Sequence, residues 1–381
     1  MSTYIYRKTL LRFAAALFDA VTGIAAFVSW VFRRHRLRPP KLIPERPRVA
    51  FLRLDGIGDV VASFEAVRAV KAKFPDGQVT MLVQEHIAEL VRLLSFVDDV
   101  IPVNFNLYSG EVGIIKSLRY VTRLRKLLSG GCFDMGIDPR GDPRVIYTMW
   151  TCRVPYTVGA RAAGAGHLLT ISCDYTRTVP EARHNLSVVA TIGAPRVPEP
   201  LSPPDVTSEW ESLRSRFPQL STPFFAVHPS ATMQTRMWPA ERFASCCEFI
   251  AERWRLLPVI VGAGDTEEQA RRLKETANVE LLDLVGETTM KELVALLAHS
   301  QLFVGNNSGP GHLAAFSGCP TVMVFGGAND PDVWKPPGEH VVAIYRKLDC
   351  SPCELRTCPE PRCLYEIEVE EVLVAVESLL G

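Results

Sequence analysis

The chain has 381 residues, in which 42 lysine and arginine side chains are balanced by 42 aspartate and glutamate side chains. A net charge of zero argues against a general nucleic-acid-binding protein, which normally carries a basic excess. Because domains usually span about 100–200 residues, the length predicts two domains. Because the chain as a whole has no net charge, an acidic ligand must be bound by local groups.

The segment from Phe13 to Phe32 is mostly apolar and is long enough for a helix that spans a bilayer. Asp19 lies in its middle, and an aspartate at the centre of a membrane span costs about 2.5–3.5 kcal/mol. At helical spacing, small and polar residues line one side of the segment and apolar residues line the other. The polar side comprises Arg12, Ala16, Asp19, Gly23, Ala26, Ser29 and Arg33, and the apolar side comprises Phe13, Leu17, Val21, Ile24, Val28 and Val31.

A basic cluster follows this segment at Arg33, Arg34, His35, Arg36, Arg38 and Lys41. Such residues attract anionic lipid head groups, so we favour a helix on the membrane surface with the rest of the chain in the cytoplasm. A single membrane-spanning anchor and a helix packed on the protein body are the alternatives. A signal peptide fits poorly, because no small-residue cleavage site precedes the basic cluster.

Strand-like and helix-like segments alternate after the proline-rich stretch at 39–47. In the first half we predict strand Val49–Leu54, helix Asp59–Lys73, strand Val79–Val83, helix Ile114–Leu128 and strand Phe133–Ile137. The proline-rich run Val197–Pro204 is the predicted interdomain linker. In the second half we predict strand Phe224–His228, helix Ala240–Arg253, strand Pro258–Val261, helix Thr266–Thr276, strand Leu282–Val285, strand Leu302–Val304, strand Thr321–Phe325 and helix Val369–Leu380.

This alternation predicts an α/β fold of two doubly wound, Rossmann-like domains. We expect a membrane-associated helix and basic linker over residues 1–46, an N-terminal domain over 47–205 and a C-terminal domain over 206–381.

Polar and glycine-rich segments follow several predicted strands at their carboxyl ends, where sheets of this kind bind ligands. They are Arg53–Asp59, His228–Arg236, Gly262–Asp265, Asn306–His312 and Gly326–Asp330. Asn306–His312 leads from a strand into a helix, and backbone N–H groups at a helix start can bind a diphosphate without a metal. The alternative is an ordinary strand–turn–helix connection, in which glycine, asparagine and serine are normal residues. A dinucleotide-dependent oxidoreductase fits less well, because Val61 stands where the third glycine of its fingerprint would be.

Three ordered blocks resemble glycosyltransferase family 9, the heptosyltransferases of lipopolysaccharide core assembly. They are Arg53–Val61, His228–Pro239, and a C-terminal signature with His312–Ala315, Phe325–Gly326 and Trp334–Pro336. The resemblance implies a GT-B fold, in which the N-terminal domain holds the acceptor and the C-terminal domain holds the nucleotide sugar, on either side of a central cleft. It also implies an inverting, metal-independent transfer of heptose from ADP-heptose to a lipid-linked oligosaccharide, with no cofactor, at the cytoplasmic face of the inner membrane.

The resemblance implies that Asp59 is the catalytic base, while Asp55 in the same loop competes for this role. Capping of a helix start would also explain an aspartate at position 59. Arg53 and Asp55 are the predicted acceptor-binding residues. The predicted donor-binding residues are Ser230, Thr232, Arg236, Asn307, Ser308, Gly309, Gly311 and His312.

Two donor-binding positions depart from the family pattern, which has lysine in many members where Arg236 stands and often aspartate where Asn307 stands. Arginine keeps the positive charge with a different geometry, whereas an asparagine amide carries no charge. His312 could bond a phosphate or only satisfy the helix start. These departures leave an alternative function open, a catalytically inactive, membrane-bound carbohydrate-binding or assembly protein of the same fold.

Four cysteines lie close together in the sequence, at Cys350, Cys353, Cys358 and Cys363. Spacing this tight can hold a structural zinc ion. Stable disulfides are not expected in the cytoplasm, so the alternatives are reduced thiols or zinc, and the irregular spacing favours thiols without a metal.

Overall fold

The computed structural model describes residues 15–17, 19–23, 42–105, 114–161, 163–175, 178–197, 201–353 and 355–381. The chain divides into two compact units, Met1–Pro200 and Leu201–Gly381, which we call the first and the second unit. The division falls inside the predicted linker, shortly before the boundary that the sequence predicts between residues 205 and 206.

The sheet of the first unit has the strand order β3-β2-β1-β4-β5-β6, and every neighbouring pair is parallel. Its strands are β1 Arg48–Arg53, β2 Gln78–Gln84, β3 Asp99–Val103, β4 Met135–Asp138, β5 Tyr156–Ala160 and β6 Ile171–Cys173. Strand β1 is buried from its second residue to its last. Continuous burial of this kind is typical of parallel strands whose two faces are both covered by helices.

The helices of the first unit connect these strands. They are Ile57–Val61, Phe64–Lys73, Ala88–Val91, Ile114–Gly131, Pro143–Thr151 and Glu181–Ala190, with 3₁₀ turns at Glu85–Ile87 and Gly166–Leu168.

The predicted continuous helix from Asp59 to Lys73 is wrong, because the helix is broken after Val61. The hydroxyl of Ser63 donates to the Val60 carbonyl at 2.7 Å, and the side-chain amide of Asn185 donates to the Ala62 carbonyl at 3.0 Å. Side chains that bond to backbone groups in this way compete with the regular helical hydrogen bonds.

The sheet of the second unit has the order β12-β11-β10-β7-β8-β9 and is also parallel throughout. Its strands are β7 Phe224–His228, β8 Leu257–Ile260, β9 Leu282–Asp283, β10 Phe303–Asn306, β11 Thr321–Phe325 and β12 Val341–Tyr345. Its helices are Thr207–Arg216, Ala240–Trp254, Glu267–Thr276, Met290–His299, Gly309–Phe316, Pro331–Trp334, Arg362–Tyr365 and Val369–Leu380, with 3₁₀ turns at Pro218–Ser221, Gln234–Arg236 and Gly264–Thr266.

Both sheets have the doubly wound strand order 3-2-1-4-5-6 of a Rossmann sheet, when the strands of each unit are numbered from its first strand. In each sheet the direction of winding reverses between two adjacent central strands, β1 and β4 in the first unit and β7 and β10 in the second. Loops at the carboxyl ends of such a pair diverge and leave a crevice where ligands bind. The fold therefore places one candidate site in each unit.

The side chain of Asn306 connects segments that border the crevice of the second unit. This fully buried side chain at the end of β10 accepts a hydrogen bond from the Trp238 backbone N–H at 2.9 Å and donates to the Pro229 carbonyl at 2.9 Å. It thereby ties β10 to both ends of the segment that follows β7. An amide side chain provides the required donor and acceptor in one group.

Residues 15–17 and 19–23 are helical, and we call them the N-terminal helical segment. The rest of the predicted helix from Phe13 to Phe32 lies outside the described residues. The Asp19 carboxylate accepts a hydrogen bond from the Ala165 backbone N–H, and the Thr22 hydroxyl lies 3.2 Å from Nε2 of His167. These contacts correspond to the alternative in which the helix packs on the body. Within the described ranges, no helix has the length and apolar character needed to cross a membrane.

Replacing Asn306 with alanine should lower the free energy of unfolding by roughly 2–4 kcal/mol, because buried groups at both ends of its amide lose their partners. Urea unfolding followed by tryptophan fluorescence measures this change. Asn278→Ala is the matched control, since that exposed amide bonds to Glu248 at the surface and its loss should cost less than about 0.5 kcal/mol. Equal losses in the two variants would contradict the role of Asn306.

Candidate active site

The site of the first unit is built around the guanidinium of Arg53, the last residue of β1, which is 1% exposed. Its Nε lies 3.2 Å from a carboxylate oxygen of Asp55, and its Nη2 lies 3.4 Å from Asp59 and 3.2 Å from Glu181. Its Nη1 donates to the side-chain oxygen of Asn185 at 3.3 Å. Burial opposes the charge, but the carboxylates outweigh it and the pKa of the Arg53 guanidinium is raised.

Asp59 is the most exposed of the three carboxylates around Arg53. Its side chain is 20% exposed, against 3% for Asp55 and 8% for Glu181. It lies in the first turn of helix Ile57–Val61, and its Oδ2 accepts a hydrogen bond from the Gly56 backbone N–H at 3.3 Å. Asp59 therefore accepts a hydrogen bond from a backbone N–H at the helix start and also presents a carboxylate to solvent. Its two interpretations, as a helix cap and as a catalytic base, are compatible.

Arg140 joins this cluster from the loop that follows β4. Its Nη1 lies 3.0 Å from Asp55 and 3.8 Å from Asp59, and its side chain remains partly exposed. The ends of β1 and β4 thus meet through ion pairs at the crevice of the sheet. The result is an accessible carboxylate beside an accessible guanidinium, a pair that can hold a hydroxyl-bearing, anionic ligand.

The buried end of β4 adds a further acid beneath this loop. Burial and the neighbouring Asp142 carboxylate raise the pKa of Asp138 to about 7. Its Oδ2 accepts a hydrogen bond from the Asp142 backbone N–H at 2.7 Å. Asp142 in turn caps helix Pro143–Thr151 by accepting from the Arg144 backbone N–H at 2.8 Å.

Helix Glu181–Ala190 supplies residues that the sequence interpretation missed. Glu181 and Asn185 lie one turn apart and both bond to Arg53. His184 bonds through Nε2 to the Pro139 carbonyl at 2.9 Å, and burial lowers its pKa, so it holds the β4 loop as a neutral ring. Arg140 could have been found from its position after a predicted strand, but no local signal marks this helix.

Arg53 and Asp55, the predicted acceptor-binding residues, are both buried, at 1% and 3% exposure. Their contact with the acceptor stays a prediction. Burial raises the pKa of Asp55, although both neighbouring arginines favour its anion. Through their ion pairs the two residues position Asp59 and Arg140, which are the more exposed members of the cluster.

The site of the second unit is the start of helix Gly309–Phe316, directly after β10. Ser308 is the N-cap residue, and its side chain makes no capping hydrogen bond. Its Oγ is enclosed and has no hydrogen-bond partner among the described residues. The N–H groups of Gly309 and Gly311 lack partners within the helix, and Pro310 between them has no N–H. This helix start can bind an anion.

Gly311 brings the helix start close to the sheet. A Cβ at this position would lie 2.7 Å from the terminal methyl group of Met323 on β11. A side chain here would have to displace the end of Met323, so glycine allows the helix and the strand to pack closely.

His312 and Asn307 form a buried pair behind the helix start. Nε2 of His312 lies 3.3 Å from the side-chain oxygen of Asn307, which fits donation from the ring N–H to the amide. Burial, with a smaller effect of the Arg236 charge, lowers the pKa of His312 to about 4. The ring is neutral near pH 7, so His312 supports the helix start and gives no positive charge to an anionic ligand.

Arg236 provides the positive charge of this region from the 3₁₀ turn Gln234–Arg236. Its effect on the pKa of His312 shows that the guanidinium lies near the helix start. The turn also packs closely against the end of β11, since a Cβ at Gly326 would lie 1.9 Å from the Thr235 carbonyl oxygen. A side chain at position 326 would displace the turn and move Arg236 with it.

The other predicted donor-binding residues differ in accessibility. Ser230 is buried and its hydroxyl donates to the Asp265 carbonyl at 3.2 Å, so it joins the loops after β7 and β8. Thr232 is exposed. His228 is buried at the end of β7, bonds through Nδ1 to the Val261 carbonyl, and has its pKa lowered by burial.

Asn329 is a residue of this region that the sequence interpretation missed. It lies in the loop after β11, and its buried side-chain oxygen has no partner in the described part of the chain. The glycine-rich segment Gly326–Asp330 indicated a functional loop, but its composition did not distinguish Asn329 from ordinary turn residues.

The four-cysteine loop, residues 350–363, supports the second site. The Gly327 backbone N–H donates to Sγ of Cys363 at 3.1 Å, and the Gly327 carbonyl accepts from the Cys353 N–H at 2.8 Å. The Thr235 hydroxyl donates to the Leu355 carbonyl at 2.5 Å. The loop therefore holds both the segment after β11 and the turn that carries Arg236.

The cysteines of this loop are free, and burial raises the pKa of the Cys363 thiol. Across the described ranges, no group of three or more histidine, cysteine, aspartate and glutamate side chains is arranged to hold a metal ion. The zinc hypothesis for Cys350, Cys353, Cys358 and Cys363 gains no support from this geometry.

Two Rossmann-type sheets, each with polar loops at its crevice, define an α/β class whose members bind nucleotides at such crevices. The family model described as glycosyltransferase family 9 (heptosyltransferase) matches residues 121–364. This match covers more than half of the chain, so the chain belongs to glycosyltransferase family 9 and is a glycosyltransferase.

Individual relatives agree with this assignment. Lipopolysaccharide heptosyltransferase 3 of Escherichia coli is 22% identical over 85% of this chain and 95% of that protein. The structure of Escherichia coli ADP-heptose lps heptosyltransferase II has a TM-score of 0.71 at 18% identity, over 87% of this chain and 98% of that chain. Escherichia coli heptosyltransferase WaaC with ADP-2-deoxy-2-fluoro heptose has a TM-score of 0.65 at 18% identity, over 87% and 99%. The predicted pair of Rossmann-like domains is confirmed.

Replacing Arg53 with methionine should lower the free energy of unfolding by about 3–5 kcal/mol, because buried carboxylates lose their shared cation. Arg53→Lys should lose less, since it keeps the charge without the forked geometry. Chemical denaturation of each variant measures the effect.

The control for Arg53 is Arg271→Met, which removes a guanidinium that also bonds to two carboxylates but is half exposed. Surface pairs of this kind contribute about 1 kcal/mol or less. If Arg53→Met were as stable as Arg271→Met, the buried cluster would not have the importance assigned to it.

His312 should make the protein less stable as the pH falls from about 6.5 to about 4. The unfolded state takes up a proton near pH 6.5, whereas the folded ring has a pKa of about 4, so stability present above pH 6.5 is lost on acidification. The full loss is about 3 kcal/mol. Unfolding free energies of wild type and His312→Gln across this pH range test it. The difference between the two curves should shrink toward acid, and parallel curves would contradict the assignment.

Proposed function

We propose that this glycosyltransferase transfers heptose from ADP-heptose to a lipopolysaccharide core acceptor with inversion at the anomeric carbon. The observation that carries the proposal is the accessible carboxylate of Asp59, held at the carboxyl end of β1 by the buried guanidinium of Arg53. The names of the relatives support the substrates, since they are lipopolysaccharide heptosyltransferases and one structure contains an ADP-heptose analogue.

In the proposed reaction, Asp59 takes the proton from an acceptor hydroxyl as that oxygen forms a bond to the anomeric carbon. The bond from this carbon to the ADP oxygen breaks at the same time, and ADP leaves with the electron pair. A single displacement of this kind inverts the configuration at the anomeric carbon. Arg140, beside Asp59, is placed to hold an anionic group of the acceptor.

The donor diphosphate is assigned to the start of helix Gly309–Phe316 in the second unit. The N–H groups of Gly309 and Gly311 and the unpartnered hydroxyl of Ser308 supply hydrogen bonds, and the helix dipole and Arg236 supply positive potential. These groups stabilise the negative charge that develops on the leaving ADP, as positioned donors do in other transferases. Asn307 and His312 support this start from behind.

We also propose that the reaction takes place at the cytoplasmic face of the inner membrane, on a lipid-linked acceptor. The relatives' names support a lipopolysaccharide acceptor, and a nucleotide sugar is a cytoplasmic substrate.

Two variants separate the chemical step from donor binding. Asp59→Asn should reduce transfer by roughly 10²–10⁴-fold while leaving ADP affinity unchanged, because only the base is lost. Ser308→Ala should weaken ADP binding by about tenfold or more, because one hydrogen bond to a charged group is lost. Transfer from ADP-heptose is followed by mass spectrometry of the acceptor, and ADP affinity by calorimetry.

Asp55→Asn tests the rival base in the same loop. It should lower stability and leave measurable transfer, because Asp55 is buried. A folded Asp59→Asn protein with full activity would refute the assignment of the base. Failure of every ADP-sugar to bind, with another nucleotide sugar stabilising the protein, would refute the donor.

A further inference from the structure

The N-terminal helical segment docks on the first unit through its polar face. Ala15 and Thr22 are buried, and the Asp19 carboxylate accepts the Ala165 backbone N–H and lies 3.7 Å from Nδ1 of His167. Residue 164 borders this contact, since a Cβ there would lie at the ordinary contact distance of 3.7 Å from both Ala15 and Asp19. Buried and bonded residues recur at helical spacing on this side of the segment.

The apolar face of the same segment points away from the protein. Leu17 is 67% exposed and Val21 is 59% exposed, and Ala16 and Ala20 beside them are also exposed. A surface helix of a water-soluble protein normally buries its apolar face and exposes its polar one. Here the arrangement is reversed, so burial against the first unit does not explain the leucine and the valine.

We infer that this outward face, Leu17, Ala20 and Val21, is a docking surface for a lipid bilayer that contains anionic head groups. An interfacial helix inserts an apolar face of this kind at the boundary between head groups and acyl chains. The sequence places six basic or titratable residues, Arg33, Arg34, His35, Arg36, Arg38 and Lys41, between this helix and β1. In a chain with no net charge, such a local excess is complementary to an anionic membrane.

The contacts of Asp19 and Thr22 on the inner face give this surface a fixed orientation. Asp19 and Thr22 hold the helix against residues 164–167 of the first unit, so the outward side chains are presented by a folded body. Asp19, which would oppose insertion of the helix across a bilayer, is turned toward protein donors. A surface of this kind attaches the protein to a bilayer without a helix that crosses it.

Vesicle flotation of the full-length protein tests the inference, with phosphatidylcholine vesicles prepared with and without phosphatidylglycerol. Wild type should bind the anionic vesicles, and high salt should weaken binding because it screens the charges. Leu17→Glu/Val21→Glu should reduce the bound fraction by about tenfold or more. Burial of each apolar side chain in the bilayer strengthens binding by about tenfold or more, and the double variant loses both. Leu17→Ser/Val21→Ser should act in the same direction without adding charge.

Val374→Glu is the matched control, since Val374 is 66% exposed on helix Val369–Leu380 of the second unit. This variant should bind anionic vesicles as wild type does. Wild-type protein that fails to bind, or a Leu17/Val21 double variant that binds unchanged, would overturn the inference. Sedimentation velocity without lipid gives a further outcome. A dimer of wild type that the double variant abolishes, with no vesicle binding, would assign the surface to a second copy of the chain.

Discussion

The buried guanidinium of Arg53 is the constraint on which the first site depends. A cation taken out of water must be surrounded by acceptors, and Arg53 draws these from its own strand end, from helix Ile57–Val61 and from helix Glu181–Ala190. Elements distant in sequence are thereby fixed around one charge. The direction of the Asp59 carboxylate is set by this arrangement and by the Gly56 N–H, so the group that we propose as the base is positioned before a substrate arrives.

The second site meets the opposite electrostatic requirement. Its helix start is flanked by the neutral His312 ring and the uncharged Asn307 amide. Arg236 contributes a positive charge nearby. A carboxylate at position 307 would place a negative charge beside the anion site. The departure from the family pattern therefore makes this region more favourable to a diphosphate, while it removes a charged contact for a sugar hydroxyl.

Loops and strand ends were predictable from sequence, because hydrophobic runs followed by glycine and polar residues mark the carboxyl ends of parallel strands. Strands β7 and β11 and helix Val369–Leu380 have the predicted bounds. The partners of Arg53 on helix Glu181–Ala190 were not predictable, because their contact arises from the strand order and not from local spacing. Burial of Arg53 and Asp55 was missed for the same reason, since charged residues are normally exposed unless a specific partner is present.

The second unit depends on residues that follow its last strand, β12, including the four-cysteine loop. A chain terminated after β12 would retain every strand of the second sheet, yet it would lose the Leu355 carbonyl that fixes Thr235 and the thiol that bonds to Gly327. It would also lose Val372 and Val376, which are fully buried in the core of this unit. The second sheet and the proposed nucleotide site therefore depend on different parts of the chain. C-terminal truncation would disrupt the proposed site before it removed a strand of the sheet.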